Sequence, residues 1–151
     1  MLPSAPQRAS WTAKRTSSGR IVHAHCHQKA FDAAAPVVAV LRMIPELSVE
    51  PIESSCCGMG GAFGYAADHY DISMRMAESS LLPAVRNADA DTLIVADGTS
   101  CRHQIADGTR GTGHRAAIHA VRVLERALAP RDASPRQFRE AASTTVTRDA
   151  A

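Results

Sequence analysis

The sequence predicts an α/β fold, a parallel sheet with helices on its faces, and three observations lead there. Strand-length apolar runs alternate with segments of helical spacing, in the order strand, helix, strand, helix, strand, helix. One run, Thr92-Leu93-Ile94-Val95-Ala96, is almost continuously apolar, as in a parallel strand covered on both sides. Finally, every cysteine follows one of these strands, at the carboxyl end where open α/β sheets carry their sites.

The elements follow in order. Ile21 to His25 reads as a short strand running directly into Cys26. Pro36, suited to a first helical turn, opens an apolar helix through Ile44 that Pro45 stops. Leu47 to Ile52 alternates apolar and polar residues, as a half-buried strand does, and leads to Cys56 and Cys57. Asp68 to Ala88 is mostly helical, with Ile72, Met76, Leu81, Leu82 and Val85 as its buried candidates and a restart at Pro83 after Ser80. Cys101 follows the Thr92–Ala96 strand by five residues. Arg115 to Ala129 is the last helix, with Ala117, Val121, Leu124 and Leu128 on one face until Pro130 ends it.

A chain of 151 residues can bury one core, and a formal net charge of +2 does not suggest attraction to nucleic acid. Residues 1–19 read as a flexible, basic and serine-rich arm, 20–129 as the folded domain, and 130–151 as a solvated tail. No apolar stretch is long enough to cross a bilayer, and no secretory core is evident, so a reducing, cytoplasmic setting with free thiols is the expectation.

The four cysteines carry the chemistry. Cys56 and Cys57 are adjacent, and a disulfide between neighbours strains the intervening peptide, but both can face one metal centre. Cys26 and Cys101 stand at the ends of two other strands, so one crevice can collect all four thiols. Gly58, Gly60 and Gly61 permit tight turns that aim amides at sulfur or at an anion. The loop lacks the Lys and Ser/Thr of a phosphate-binding loop, and the chain lacks a Cys-x-x-Cys redox pair. Zinc knuckles need paired ligands two to four residues apart, which the cysteines do not supply, although His25, His27 and His103 lie near enough to complete an unusual zinc site. Lys29, Arg75, Arg102 and Arg110 are candidates for offsetting thiolate charge, whereas Phe63 and Tyr65 read as core.

Three stretches resemble the cysteine-rich Cys-Cys-Gly domain of iron–sulfur oxidoreductases over about residues 20–129: His25-Cys26-His27-Gln28-Lys29-Ala30, Cys56-Cys57-Gly58-Met59-Gly60-Gly61-Ala62-Phe63-Gly64-Tyr65, and Asp97-Gly98-Thr99-Ser100-Cys101-Arg102-His103-Gln104-Ile105. The wording is most similar to the C-terminal part of FAD-linked oxidases and dehydrogenases acting on 2-hydroxy acids such as glycolate, D-lactate or D-2-hydroxyglutarate. That resemblance implies an iron–sulfur cluster, [4Fe-4S] before [2Fe-2S], held by Cys26, Cys56, Cys57 and Cys101. It also implies a flavoprotein dehydrogenase partner that carries the FAD, and a chain inactive on its own.

Two departures shape the expectation. The family pattern ends in Cys-x-x-Cys, whereas Gln104 stands at the last position here, so a five-thiolate cluster is not expected. His103, beside that position, is a candidate replacement ligand. The chain also has no dinucleotide fingerprint and no closely spaced ferredoxin cysteines. The alternative is a cluster-free or zinc-binding module that keeps the fold to bind such an enzyme.

Overall fold

The structure is a computed structural model that describes residues 19–128. The expected arm, apart from Gly19, and the expected tail lie outside the described residues. The strands are β1 (Arg20–His23), β2 (Val49–Pro51), β3 (Leu93–Ala96) and β4 (Ala117–Ile118). The helices are α1 (Cys26–Ala30), α2 (Ala34–Arg42), α3 (Tyr70–Glu78), α4 (Leu81–Asn87), α5 (Thr99–Gly108) and α6 (Ala120–Leu128). Two 3-10 turns, Phe63–Tyr65 and Ala67–His69, precede α3.

The α/β expectation holds. All pairings are parallel, in the order β2-β1-β3-β4. From β1 the chain moves outward to β2, crosses back to β3, and continues to β4 on the other side. The order therefore reverses between β1 and β3, a switch point at whose carboxyl side open α/β sheets carry their sites, and there His23 pairs in register with Ala96.

Alternation along each strand sorts side chains between two cores. On one side Val22, Val49 and Val95 pack with Val38 and Leu41 of α2 and with Ala120 and Val123 of α6. On the other, Ile94 and Ala96 pack with Leu81 and Val85 of α4, Cys101 and Ile105 of α5, and Cys57 and Met59 of the intervening loop. Helices on both faces explain why β3 is apolar at consecutive positions.

Several expectations are corrected. The first strand ends at His23 rather than His25, and His25 caps α1 instead. Its Nδ1 accepts the His27 amide at 3.2 Å, while Gln28 Oε1 accepts the His25 amide at 2.8 Å. The last helix does not begin at Arg115: Ala117–Ile118 pairs with β3 as a fourth strand, and α6 starts at Ala120, where Asp97 Oδ1 accepts the Ala120 amide at 2.9 Å. Its inward face carries Ala120, Val123 and Leu124, leaving Val121 and Leu128 exposed. The helical stretch 68–88 does break before Leu81, but α3 buries Ser73 and Ala77 while Ile72 and Met76 are exposed. Phe63 and Tyr65 are not core: both are exposed, with Phe63 stacked on His69 at 4.1 Å between ring centroids.

Candidate metal centre

Each cysteine station occupies a different local structure at the same end of the sheet. Cys26 is the first residue of α1, three positions beyond β1, and is half-buried. Cys101 is the third residue of α5 and is fully buried. Cys56 and Cys57 lie in the loop after β2; Cys56 is half-buried and Cys57 is buried. The Gly58 amide donates to Cys56 Sγ at 3.3 Å.

Cys57 Sγ and Cys101 Sγ are 3.2 Å apart, with the Cys101 thiol donating. Ionisation of Cys57 is eased first by that hydrogen bond and next, against the cost of burial, by His23 and the Met59 amide. Cys101 is pushed the other way, first by its bond to Cys57, then by burial and by the charges on Cys57, Cys26 and Cys56.

Sequence pattern alone did not single out His23. This residue is 1% exposed, and one ligand atom from each of His23, Cys57 and Cys101 lies within 4.8 Å of the others. Its Nδ1 is 2.9 Å from Ser54 Oγ, whereas Nε2 is buried with no hydrogen-bond partner. An unpaired buried polar atom costs about 1–3 kcal/mol, so an atom facing two thiols fits a site built for an occupant. A signal was available: His23 sits two residues after Ile21, on the strand face that packs against the core containing Cys57 and Cys101.

Glycines bring the stations together. A Cβ on Gly98 would lie 2.5 Å from the His25 ring and 2.9 Å from Cys101 Sγ. Gly58 has φ +89°, and a Cβ there would meet the Ser73 carbonyl at 2.1 Å and Gln104 Nε2 at 3.2 Å. Gln104 is buried and donates to Ser73 O at 3.1 Å and Ser73 Oγ at 2.9 Å, tying α5 to α3.

The structure does not bring His103 together with the buried trio. It is exposed, and its Nδ1 lies 2.7 Å from the Tyr65 hydroxyl. Residues two apart on a helix point in nearly opposite directions, so Cys101 faces inward and His103 outward. His25 is used in capping, and His27 is exposed. Among the expected cations, the Lys29 ammonium holds the carbonyls of Ser54 and Ser55, the latter at 3.0 Å, just before the cysteine pair. Arg102 binds the Ala96 and Asp97 carbonyls at the end of β3, Arg110 pairs with Asp107, and Arg75 is exposed on α3. Asp97 links three elements, since its Oδ2 also accepts Gln28 Nε2 of α1 at 2.9 Å.

Comparison with known proteins shows a distant relationship. One of the subunits of the anaerobic glycerol-3-phosphate dehydrogenase of Escherichia coli (strain K12) is 28% identical over 109 residues, and its counterpart in Escherichia coli O157:H7 matches equally. The alignment covers 72% of this chain and 26% of those proteins, so the chain spans only about a quarter of the relatives it resembles. No protein-family model matches, and no solved structure matches. The chain is thus distantly similar to part of a dehydrogenase subunit and carries a buried cysteine and histidine group at the carboxyl end of its sheet. Among the described residues no helix is long and apolar enough to cross a membrane.

Proposed function

We propose that this chain is the electron-transfer domain of a dehydrogenase and that Cys26, Cys56, Cys57 and Cys101 hold an iron–sulfur cluster, [4Fe-4S] before [2Fe-2S]. The observation that supports the reading is the buried contact of Cys57 Sγ with Cys101 Sγ at 3.2 Å, which joins two of the three cysteine stations beside His23. Soft thiolates on separate loops are the donor set that iron and sulfide favour. Similarity to a dehydrogenase subunit supports the same role.

The partner in this reading is a flavoprotein subunit or domain carrying FAD. Its substrate is an alcohol such as a 2-hydroxy acid, whose oxidation to a carbonyl releases two electrons and two protons to the flavin. A bound cluster accepts those electrons singly and passes them on. The chain's own residues position the thiolates and exclude water around Cys57 and Cys101, both at most 4% exposed. The test is anaerobic reconstitution of the chain, with iron and acid-labile sulfide assays and electron paramagnetic resonance after reduction. Matching iron and sulfide with a cluster signal is expected, and background iron with no signal overturns the reading.

One observation favours a second reading. A tetrahedral ion bound by sulfur and nitrogen at about 2.0–2.3 Å sets its ligand atoms roughly 3.5–3.8 Å apart. The trio of His23, Cys57 and Cys101, within 4.8 Å, suits a single ion of that kind. Zinc held there in an interaction module would give one zinc per chain and no sulfide in the same assays.

A further inference from the structure

Behind the thiols a polar chain runs inward from half-buried Lys29 and Ser54 to buried His23. The Lys29 ammonium reaches Ser54 Oγ at 3.4 Å, and Ser54 Oγ is 2.9 Å from His23 Nδ1. The opposite ring nitrogen, Nε2, is buried and unpaired, and it faces Cys57 and Cys101. Counting donors places the protons. An ammonium can only donate, so Ser54 Oγ accepts from Lys29 and keeps its own hydroxyl proton for donation. In the tautomer whose Nδ1 accepts that proton, Nε2 carries the ring N–H on the side of the thiols.

We propose that His23, oriented by Ser54 and Lys29, donates a hydrogen bond from Nε2 to the Cys57 sulfur of the loaded centre and thereby raises its reduction potential. The inference rests on the iron–sulfur reading above. Reduction adds negative charge to the cluster and its thiolates, so a donor at sulfur stabilises the reduced form more than the oxidised one. The dry surroundings amplify the effect: His23, Cys57 and Cys101 are all buried, so water does not compete for the sulfur. The cation at the far end adds to it, because Lys29 polarises the Ser54 hydroxyl toward the ring. His23 here is a positioning and tuning residue, and the four cysteines remain the ligands.

The test uses the full chain reconstituted anaerobically with iron and sulfide, as wild type, His23→Leu, His23→Gln and Ser54→Ala. Iron and sulfide per chain are assayed in each, and the potentials are compared per loaded centre. His23→Leu should shift the balance of reduced to oxidised centre tenfold or more toward oxidised, a midpoint lower by about 59 mV or more for one electron. His23→Gln, which keeps an N–H at similar reach, should recover most of that shift, and Ser54→Ala should fall between.

Wild type labelled with 15N-histidine provides a measurement that needs no variant. Electron–nuclear double resonance of the reduced centre should show a weakly coupled nitrogen and an exchangeable proton. An unchanged potential in His23→Leu overturns the inference, as does a strong coupling that marks a direct iron–nitrogen bond. Wild type that binds no iron and sulfide overturns the underlying reading as well, so the two failures are distinct.

Discussion

The two faces of the sheet bury cores of the same general build but different chemistry. On the α2/α6 face, Val22, Val38, Leu41, Val49, Val95, Ala120 and Val123 form an entirely hydrocarbon core. On the α4/α5 face, Ile52, Leu81, Val85, Ile94, Ala96 and Ile105 pack directly against Cys57, Met59 and Cys101. His23 sits at the end of a strand on this second side, with Ser73 and Gln104 buried in the elements around it. A parallel strand alternates its side chains, so one strand can serve a purely structural core and a chemical site at once. Substitutions on the first face should therefore act on stability alone, and those on the second on stability and the metal centre together.

The largest contrast is between Cys57→Ala and Leu41→Ala. Loss of Cys57, half of the buried thiol contact, should cut the iron bound after reconstitution by tenfold or more. Leu41 is fully buried among hydrocarbon, and its truncation should cost about 2–5 kcal/mol in urea unfolding. Iron per folded Leu41→Ala chain should match wild type, and a large loss would break the division between faces.

Backbone contacts sharpen it next. Gly98→Ala places a methyl 2.9 Å from Cys101 Sγ and 2.5 Å from the His25 ring, so iron loading should fall several-fold. Gly58→Ala combines φ +89° with a 2.1 Å approach to the Ser73 carbonyl. It should destabilise by about 1–3 kcal/mol or more and also displace the adjacent Cys57. Gln104→Ala should cost about 1–3 kcal/mol, because the Ser73 hydroxyl and carbonyl lose a buried donor. Its iron content should stay at the wild-type level, since Gln104 holds α3 to α5 rather than a metal; a drop would make the amide part of the site.

The smallest effect belongs to the surface. Glu78 and Arg86 pair across α3 and α4, and the hydrogen bond from Arg86 holds the Glu78 carboxyl below its ordinary value. That contribution is present above the unfolded carboxyl's titration and is lost as pH falls through the lower, folded value. Both side chains are substantially solvated, so Glu78→Gln should cost less than about 1 kcal/mol near neutrality, with the difference vanishing in acid. Urea titrations at several pH values measure it.

The sheet was legible because the three longer strands have local signatures: alternation before Cys56, the apolar run before Cys101, and Ile-Val before the first histidines. The fourth strand was not, since Ala117–Ile118 is two residues long and owes its conformation to pairing with β3 rather than to its own composition. That pairing shifted the start of α6 and rotated its buried face. Exposure on α3 misled for a related reason: Ile72 and Met76 look like core by residue type, yet small Ser73 and Ala77 allow the helix to approach α4 and α5 closely. At the candidate site the structure joins Cys57 and Cys101, two of the four cysteines that spacing singled out, while His23 stayed hidden because a histidine within a short strand resembles any other strand residue until the facing loop is known. His103 read as a ligand from its nearness in sequence, but helix geometry turns it away from Cys101.

The central claim is that the thiol group beyond the carboxyl ends of β1 and β3 holds iron and sulfide together. Native mass spectrometry of the chain purified without oxygen tests it most directly. The expected species is an intact chain heavier by iron and sulfide in equal numbers, lost in Cys57→Ala. A wild-type chain carrying a single zinc, or bearing no added mass after reconstitution, would contradict it.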